Sequence, residues 1–210
     1  MFTKTLSQNA AAALAVLSKS GILQNVYLAG GTACALQLGH RVSLDLDFFT
    51  EKEFDTEIVL KQLEELSEFK LDETAKWTIL GSFSKVKFSY FYYRYPLIKK
   101  TSQFSQIKLA SLEDIAAMKI AAICDRGTKR DFIDLYFLAK KFSLEQIFKF
   151  YDQKYTKLSN NIVHIMRSLD YFVDAELQKP PKMLIPVSWE KVKKFFQDQT
   201  IKLAKTKLKI

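Results

Sequence analysis

Two short motifs set 14 residues apart constrain this chain more than any other feature of it. The first, Gly30-Gly31-Thr32, ends a short apolar segment over residues 25–29 that reads as a buried strand. Helical spacing follows from Ala33 to Leu38 and stops at Gly39. The second is Asp45-Leu46-Asp47, within an alternating stretch over residues 43–49. Leu44, Leu46 and Phe48 fall on one face of it and Asp45, Asp47 and Phe49 on the other. The 14 residues from Gly31 to Asp45 suffice for a helix that returns the chain to the next strand. Turn and carboxylates can then face each other across one cleft.

Each motif has a plain reading and a chemical one. Glycines at a strand-to-helix turn let backbone approach a ligand closely, and a helix N-terminus offers free N–H groups and a positive dipole end to phosphate. Thr32 would cap that helix or donate to a phosphate oxygen. The plain alternative is a tight turn with a helix cap. Two carboxylates projecting from positions i and i+2 of one strand repel unless a cation lies between them, and hard oxygen ligands suit Mg²⁺ or Mn²⁺. Here the alternative is a solvated strand face. At this spacing the two chemical readings reinforce each other.

The rest of the first half is mixed. Residues 5–20 read as a helix stopped by Gly21, and residues 56–68 as an amphipathic helix carrying Leu60, Leu63 and Leu66. Residues 77–80 and 85–93 read as a hairpin across Gly81-Ser82, with one more strand near residues 107–109. At Ser111 the character changes. A capping box, Ser111 with Asp114, opens a helix to about Asp125, and nearly everything beyond is helical, interrupted at Pro180-Pro181 and Pro186. The expectation is an α+β chain, with an α/β lobe over residues 1–110, a helical lobe over 111–210 and a shared interface between them.

Composition excludes several classes. With 48% hydrophobic residues, 17 Phe and 9 Tyr, the chain has ample material for a core, and 6 Gly with 4 Pro leave little linker. Two cysteines, Cys34 and Cys124, make neither a disulfide framework nor a metal knuckle, which points to a reduced, cytoplasmic setting. There is no apolar run of about 18 residues to cross a membrane, and the N-terminus has no convincing cleavage site. A net charge of +9 permits a polyanionic partner, although lysines near the C-terminus supply much of it.

The segment LAGGTACALQLGHRVSLDLDFFT, residues 28–50, resembles the signature of the nucleotidyltransferase superfamily and, more closely, of the AbiEii family, the toxin side of many type IV toxin–antitoxin pairs. A second block, SLEDIAAMKIAAICDRGTKRDFIDLYFL over residues 111–138, is similar to that family's helical motif, matching at Lys119, Asp125, Arg126, Lys129, Arg130, Asp131 and Asp134. The resemblance spans roughly residues 26–138. It implies a nucleotidyltransferase fold and transfer of a nucleoside monophosphate from an NTP, with a tRNA end as acceptor and a cognate antitoxin as partner. Asp45 and Asp47 would be the catalytic metal ligands, with Gly30, Gly31 and Thr32 at the phosphates and Arg41 beside them. Lys119, catalytic with Asp45 and Asp47 and seven residues or two helical turns from Arg126, would clamp the triphosphate with Arg126, and Lys129 would bind the nucleotide as well. Asp131 and Asp134, sharing a helix face, would orient those cations.

One departure weighs against full catalysis. Many members of the superfamily carry a third carboxylate on a later strand, and here residues 85–93 hold no acid, offering Lys85, Lys87 and Ser89 instead. Asp114 or Asp131 is the available substitute. A binding-only member of the fold and a protein-modifying transferase are therefore the alternatives. His40 reads as structural, His164 as packing or solvent-facing, and residues 189–210 as a final helix with exposed lysines. The aromatic stretch over residues 89–96 reads as a half-buried strand.

Overall fold

The computed structural model describes residues 1–156 and 162–207. A seven-stranded mixed sheet in the order β3-β4-β5-β2-β1-β7-β6 carries helices against it. Its central strand is β2, Leu46–Thr50, beside which β1, Tyr27–Leu28, runs antiparallel to β2 and parallel to β7, Ile107–Leu109. Outward from β2 lie β5 (Val86–Tyr92, parallel), β4 (Thr78–Phe83) and β3 (Phe69–Ala75); β6, Ser102–Phe104, closes the other edge. Leu46 and Phe48 are fully buried on the face of β2 opposite Asp47, whereas Leu44, expected on that apolar face, is 55% exposed because regular β2 begins only at Leu46.

The helices are stopped and started by identifiable residues. A short 3-10 turn at Thr3–Thr5 precedes α1, Gln8–Leu17, which Ser7 caps. Helix α2, Gly30–Leu38, starts three residues earlier than its apolar spacing shows and ends at Gly39, whose left-handed φ of 72° ordinary residues resist. Helix α3 is Thr56–Glu64, and α4, Leu112–Asp125, is capped by Ser111. Gly127 turns the chain into α5, Lys129–Leu138, capped by Thr128. There follow α6 (Leu144–Lys154), α7 (Ile162–Leu169), α8 (Val173–Glu176) and α9 (Trp189–Lys207). Residues 208–210, the end of the expected tail helix, lie outside the described residues. His164 is exposed.

The hairpin differs from expectation. Its turn is Ser84-Lys85, both at positive φ (50° and 67°), and Gly81 lies inside β4. A side chain at Gly81 would collide with the Lys70 carbonyl and meet the Phe69 ring at 2.9 Å, beside an irregularity in β3 at Leu71/Glu73. The glycine thus marks a close strand approach. Strand β3 itself escapes a pattern search because only Phe69 of its seven residues is buried.

One apolar core runs from α1 and the sheet through α4, α5, α6 and α9. Helices α4 and α5 pack directly on α2. A buried clamp pins the 96–99 segment to them: Asp114 accepts hydrogen bonds from the amides of Ile98 (2.9 Å) and Lys99 (3.2 Å) and from Lys154 Nζ (2.8 Å). The segment after α8 crosses residues 40–42, with Val42 donating to the Lys182 carbonyl and the His40 carbonyl accepting from Leu184 and Ile185. That crossing buries His40 and Arg41.

Candidate functional site

Strand β2 and the start of α2 meet where the two motifs come together. Asp45 and Asp47 open into a polar cleft of about 240 Å³, lined also by Gly31, Arg41, Ser43, Lys87, Ser89, Lys119, Arg126, Thr128, Arg130 and Asp131. Gly30, at φ 62°, has Asp47 Oδ2 only 2.7 Å from where a Cβ would stand, and Gly31 would similarly meet Arg41 Nη2 at 2.5 Å. The glycine pair is therefore required by side chains of this site as well as by the turn. Thr32 is buried, and its hydroxyl donates to the Asp45 carbonyl, sewing the start of the acid strand to α2. It neither caps α2, whose N-cap is Ala29, nor reaches the cleft.

The carboxylates are poorly answered by cations. Burial and the neighbouring Asp45 raise the Asp47 carboxyl above the usual range, while a hydrogen bond from Ser89 pulls the other way. Register sets Ser89 directly beside Asp47 on the parallel strand β5, where a third acid was sought. Asp45 has a single exposed partner among the described residues, Arg130 Nη1 at 3.2 Å.

Beneath the cleft the balance reverses. Asp134, fully buried, accepts from Arg41 Nε (2.6 Å) and Nη2 (2.8 Å), His40 Nε2 (2.8 Å) and Lys119 Nζ (2.7 Å). Asp131 takes Lys119 Nζ at 2.7 Å, Arg126 Nε at 3.1 Å and the Thr128 hydroxyl at 2.6 Å. Burial alone would push both carboxyls up. Arg41 and Lys119 hold Asp134 well below the ordinary range, and Lys119 with Arg126 do the same for Asp131. Lys119 and Arg41 are thus fixed by acids of α5, and of the expected clamp Arg126, though its Nε bonds Asp131, keeps 61% of its side chain exposed. Lys129 is placed elsewhere: its ammonium donates to the Gln178 carbonyl at 2.7 Å and lies over the Trp189 ring. Asp114, in the clamp on residues 98, 99 and 154, is no substitute acid at the cleft. Cys34, His40 and Asp134 bring donor atoms within 4.8 Å of one another, but Arg41 and Lys119 on Asp134 already answer its charge.

Sequence reasoning missed Ser43 and Thr128 as cleft residues and the Arg130–Asp45 pair. The signal for Arg130 lay in its adjacency to Asp131 within the second motif; Ser43 gave none.

The fold, a mixed sheet with a glycine turn and an Asp-x-Asp strand over helical cations, is that of nucleotidyltransferases. It is similar to JHP933 from Helicobacter pylori, with a TM-score of 0.56 at 20% identity over 97% of this chain and 95% of that one. It also resembles the antibiotic-resistance factor ANT(2'')-Ia, with a TM-score of 0.53 at 12% identity over 75% of this chain and 100% of that one. The family model described as nucleotidyl transferase AbiEii toxin, type IV toxin–antitoxin system, matches residues 12–106 and 94–202, and the chain belongs to that family. An uncharacterised protein of Aquifex aeolicus (strain VF5), aq_aa25, is 40% identical over 183 residues, 84% of this chain and 87% of that one. Among the described residues no helix is long and apolar enough to cross a membrane.

Proposed function

We propose that the chain transfers a nucleoside monophosphate from an NTP to an acceptor hydroxyl, an RNA end such as that of tRNA, releasing pyrophosphate and a proton. One observation carries this reading: Asp45 and Asp47 share a single cleft with the glycine turn of α2 and with Arg126. Asp45 and Asp47 would hold Mg²⁺ or Mn²⁺. The donor set fits, because two hard carboxylates point from one strand face and the absent Gly30 side chain leaves room beside Asp47 Oδ2. Such an ion, when bound, neutralises triphosphate charge and polarises the reacting phosphorus.

The chain's own residues divide the remaining work. The amides that open α2 favour phosphate, and Arg126 and Arg130 supply exposed positive charge. Lys119, Arg41, Asp131 and Asp134 position the floor. On this reading residues 1–110 form the metal-and-phosphate lobe and residues 111–210 the cationic helical lobe. The basic charge suits an RNA acceptor, and the family supports a cognate antitoxin and a cytoplasmic setting.

The test is to incubate the protein with labelled NTPs, Mg²⁺ and total RNA. Label transfer by wild type, lost in the Asp45→Ala/Asp47→Ala double variant, is the expected result. No transfer from any NTP, or undiminished transfer by the variant, refutes it. Ser89 in the position sought for a third acid supports a second reading, a nucleotide-binding member without turnover. NTP binding with no transferred label on RNA or on the protein itself selects that one.

A further inference from the structure

The strand face that carries Asp45 and Asp47 continues into Phe49, and the parallel neighbour continues from Ser89 into Phe91. Register pairs Asp47 with Ser89 and Phe49 with Phe91, so a polar rung is followed by an aromatic rung about 7 Å further along, one pleat repeat. Phe49 packs at 5.4 Å from Phe91 and 5.3 Å from Tyr93 between ring centroids, and all three rings are only half-buried. Opposite this wall, α4 presents Met118, Ala121 and Ala122. The space between measures about 470 Å³ and shares Asp47, Ser89, Lys119 and Arg126 with the polar cleft. Its width depends on the two alanines.

We infer that this slot takes the nucleobase of the donor NTP and holds it by stacking and burial, selecting ring area and not the hydrogen-bonding edge. The inference rests on the transferase reading above. The reacting α-phosphorus must lie at the carboxylates, and one ribose separates it from the base, comparable with the step from Asp47 to Phe49. Edge readers are scarce along the slot. The Tyr93 hydroxyl is engaged by Tyr155, Ser89 by Asp47 and Lys119 by Asp131 and Asp134. Asp125 and Arg126 stand exposed at the rim. A wall of rings facing small side chains accepts any planar heterocycle, and larger ones cover more of it.

Calorimetric titration of the full chain with Mg²⁺ decides this without turnover, using inorganic triphosphate and the α,β-methylene analogues of ATP, GTP, CTP and the unsubstituted purine nucleotide. The three purine analogues are expected to bind alike, about tenfold or more tighter than inorganic triphosphate, as one base–aromatic stack provides, with the CTP analogue in between. Ala122→Phe should abolish the advantage over triphosphate and leave triphosphate affinity unchanged. Phe91→Leu, which keeps apolar bulk but removes a ring, should reduce the advantage and covers the case in which Ala122→Phe fails to fold. Equal affinity for triphosphate and nucleotides in wild type overturns the inference. So does strong discrimination between adenine and guanine, or loss in Ala122→Phe of affinity for a 3'-hydroxyl oligoribonucleotide and not for the nucleotide. Failure of triphosphate itself to bind overturns instead the cleft reading beneath it.

Discussion

The molecule holds two pairs of closely spaced aspartates that meet opposite fates. Asp131 and Asp134 on α5 are buried deeper than Asp45 and Asp47 at the start of β2, yet they are the acidic pair, because Arg41, Lys119 and Arg126 reach them directly. Asp47 has a serine hydroxyl and another carboxylate beside it, and its carboxyl is raised. Spacing alone does not distinguish a metal-binding pair from a structural one. What distinguishes them is whether cations of the protein have already answered the charge.

The contrast breaks first at Asp134. Asp134→Ala leaves Arg41 and Lys119 buried without it, and is expected to cost about 3–5 kcal/mol in urea unfolding. Should that variant unfold no more easily than Asp47→Asn, the distinction between the pairs is void. Asp47→Asn itself should lower nucleotidyl transfer by at least about a hundredfold, since an ion contributes several kcal/mol to charge stabilisation, and abolish the Mg²⁺-induced rise in melting temperature.

Acidity separates the pairs in sign. Asp131 and Asp134 are lowered by folding, so their contribution is present above about pH 4, the unfolded carboxyl value, and is lost as pH falls through the native values. Asp47 is raised, so its contribution is present below about pH 4 and is lost as pH climbs through its native value. Melting curves of wild type and Asp47→Asn across pH 3–7 should therefore diverge upward, with the variant the more stable at neutral pH. A variant less stable there contradicts the raised carboxyl. The smallest effect belongs to Arg130→Ala. Its exposed pair with Asp45 is worth about 1 kcal/mol or less, but its removal frees Asp45, and Mn²⁺ titrated by electron paramagnetic resonance should bind tighter, not weaker.

Much of this was readable from residues alone, and for physical reasons. Gly30, Gly31, Asp45 and Asp47 are local features whose meaning needs only the next strand, and Ser111 announces its helix within four residues. Lys119 was legible as a cation that Asp131 and Asp134 orient, but Arg41 was not legible as a bound one, because its partner Asp134 lies 93 residues away. Gly81 was read as a turn because a strand glycine forced by the Lys70 backbone looks no different in sequence. Thr32 and Lys129 carry the right chemistry, and burial directs it to backbone carbonyls instead.

The clasp of Arg41 by Asp134 has a consequence for the order of synthesis. A growing chain that has emerged only to residue 110 already carries Asp45, Asp47 and the glycine turn, but neither Arg126 nor the acids that anchor Arg41. The cleft floor is assembled only after α5 has left the ribosome and closed on α2. A nucleotidyltransferase built this way acquires its site late in translation, and a truncated or stalled product carries its acids unsupported.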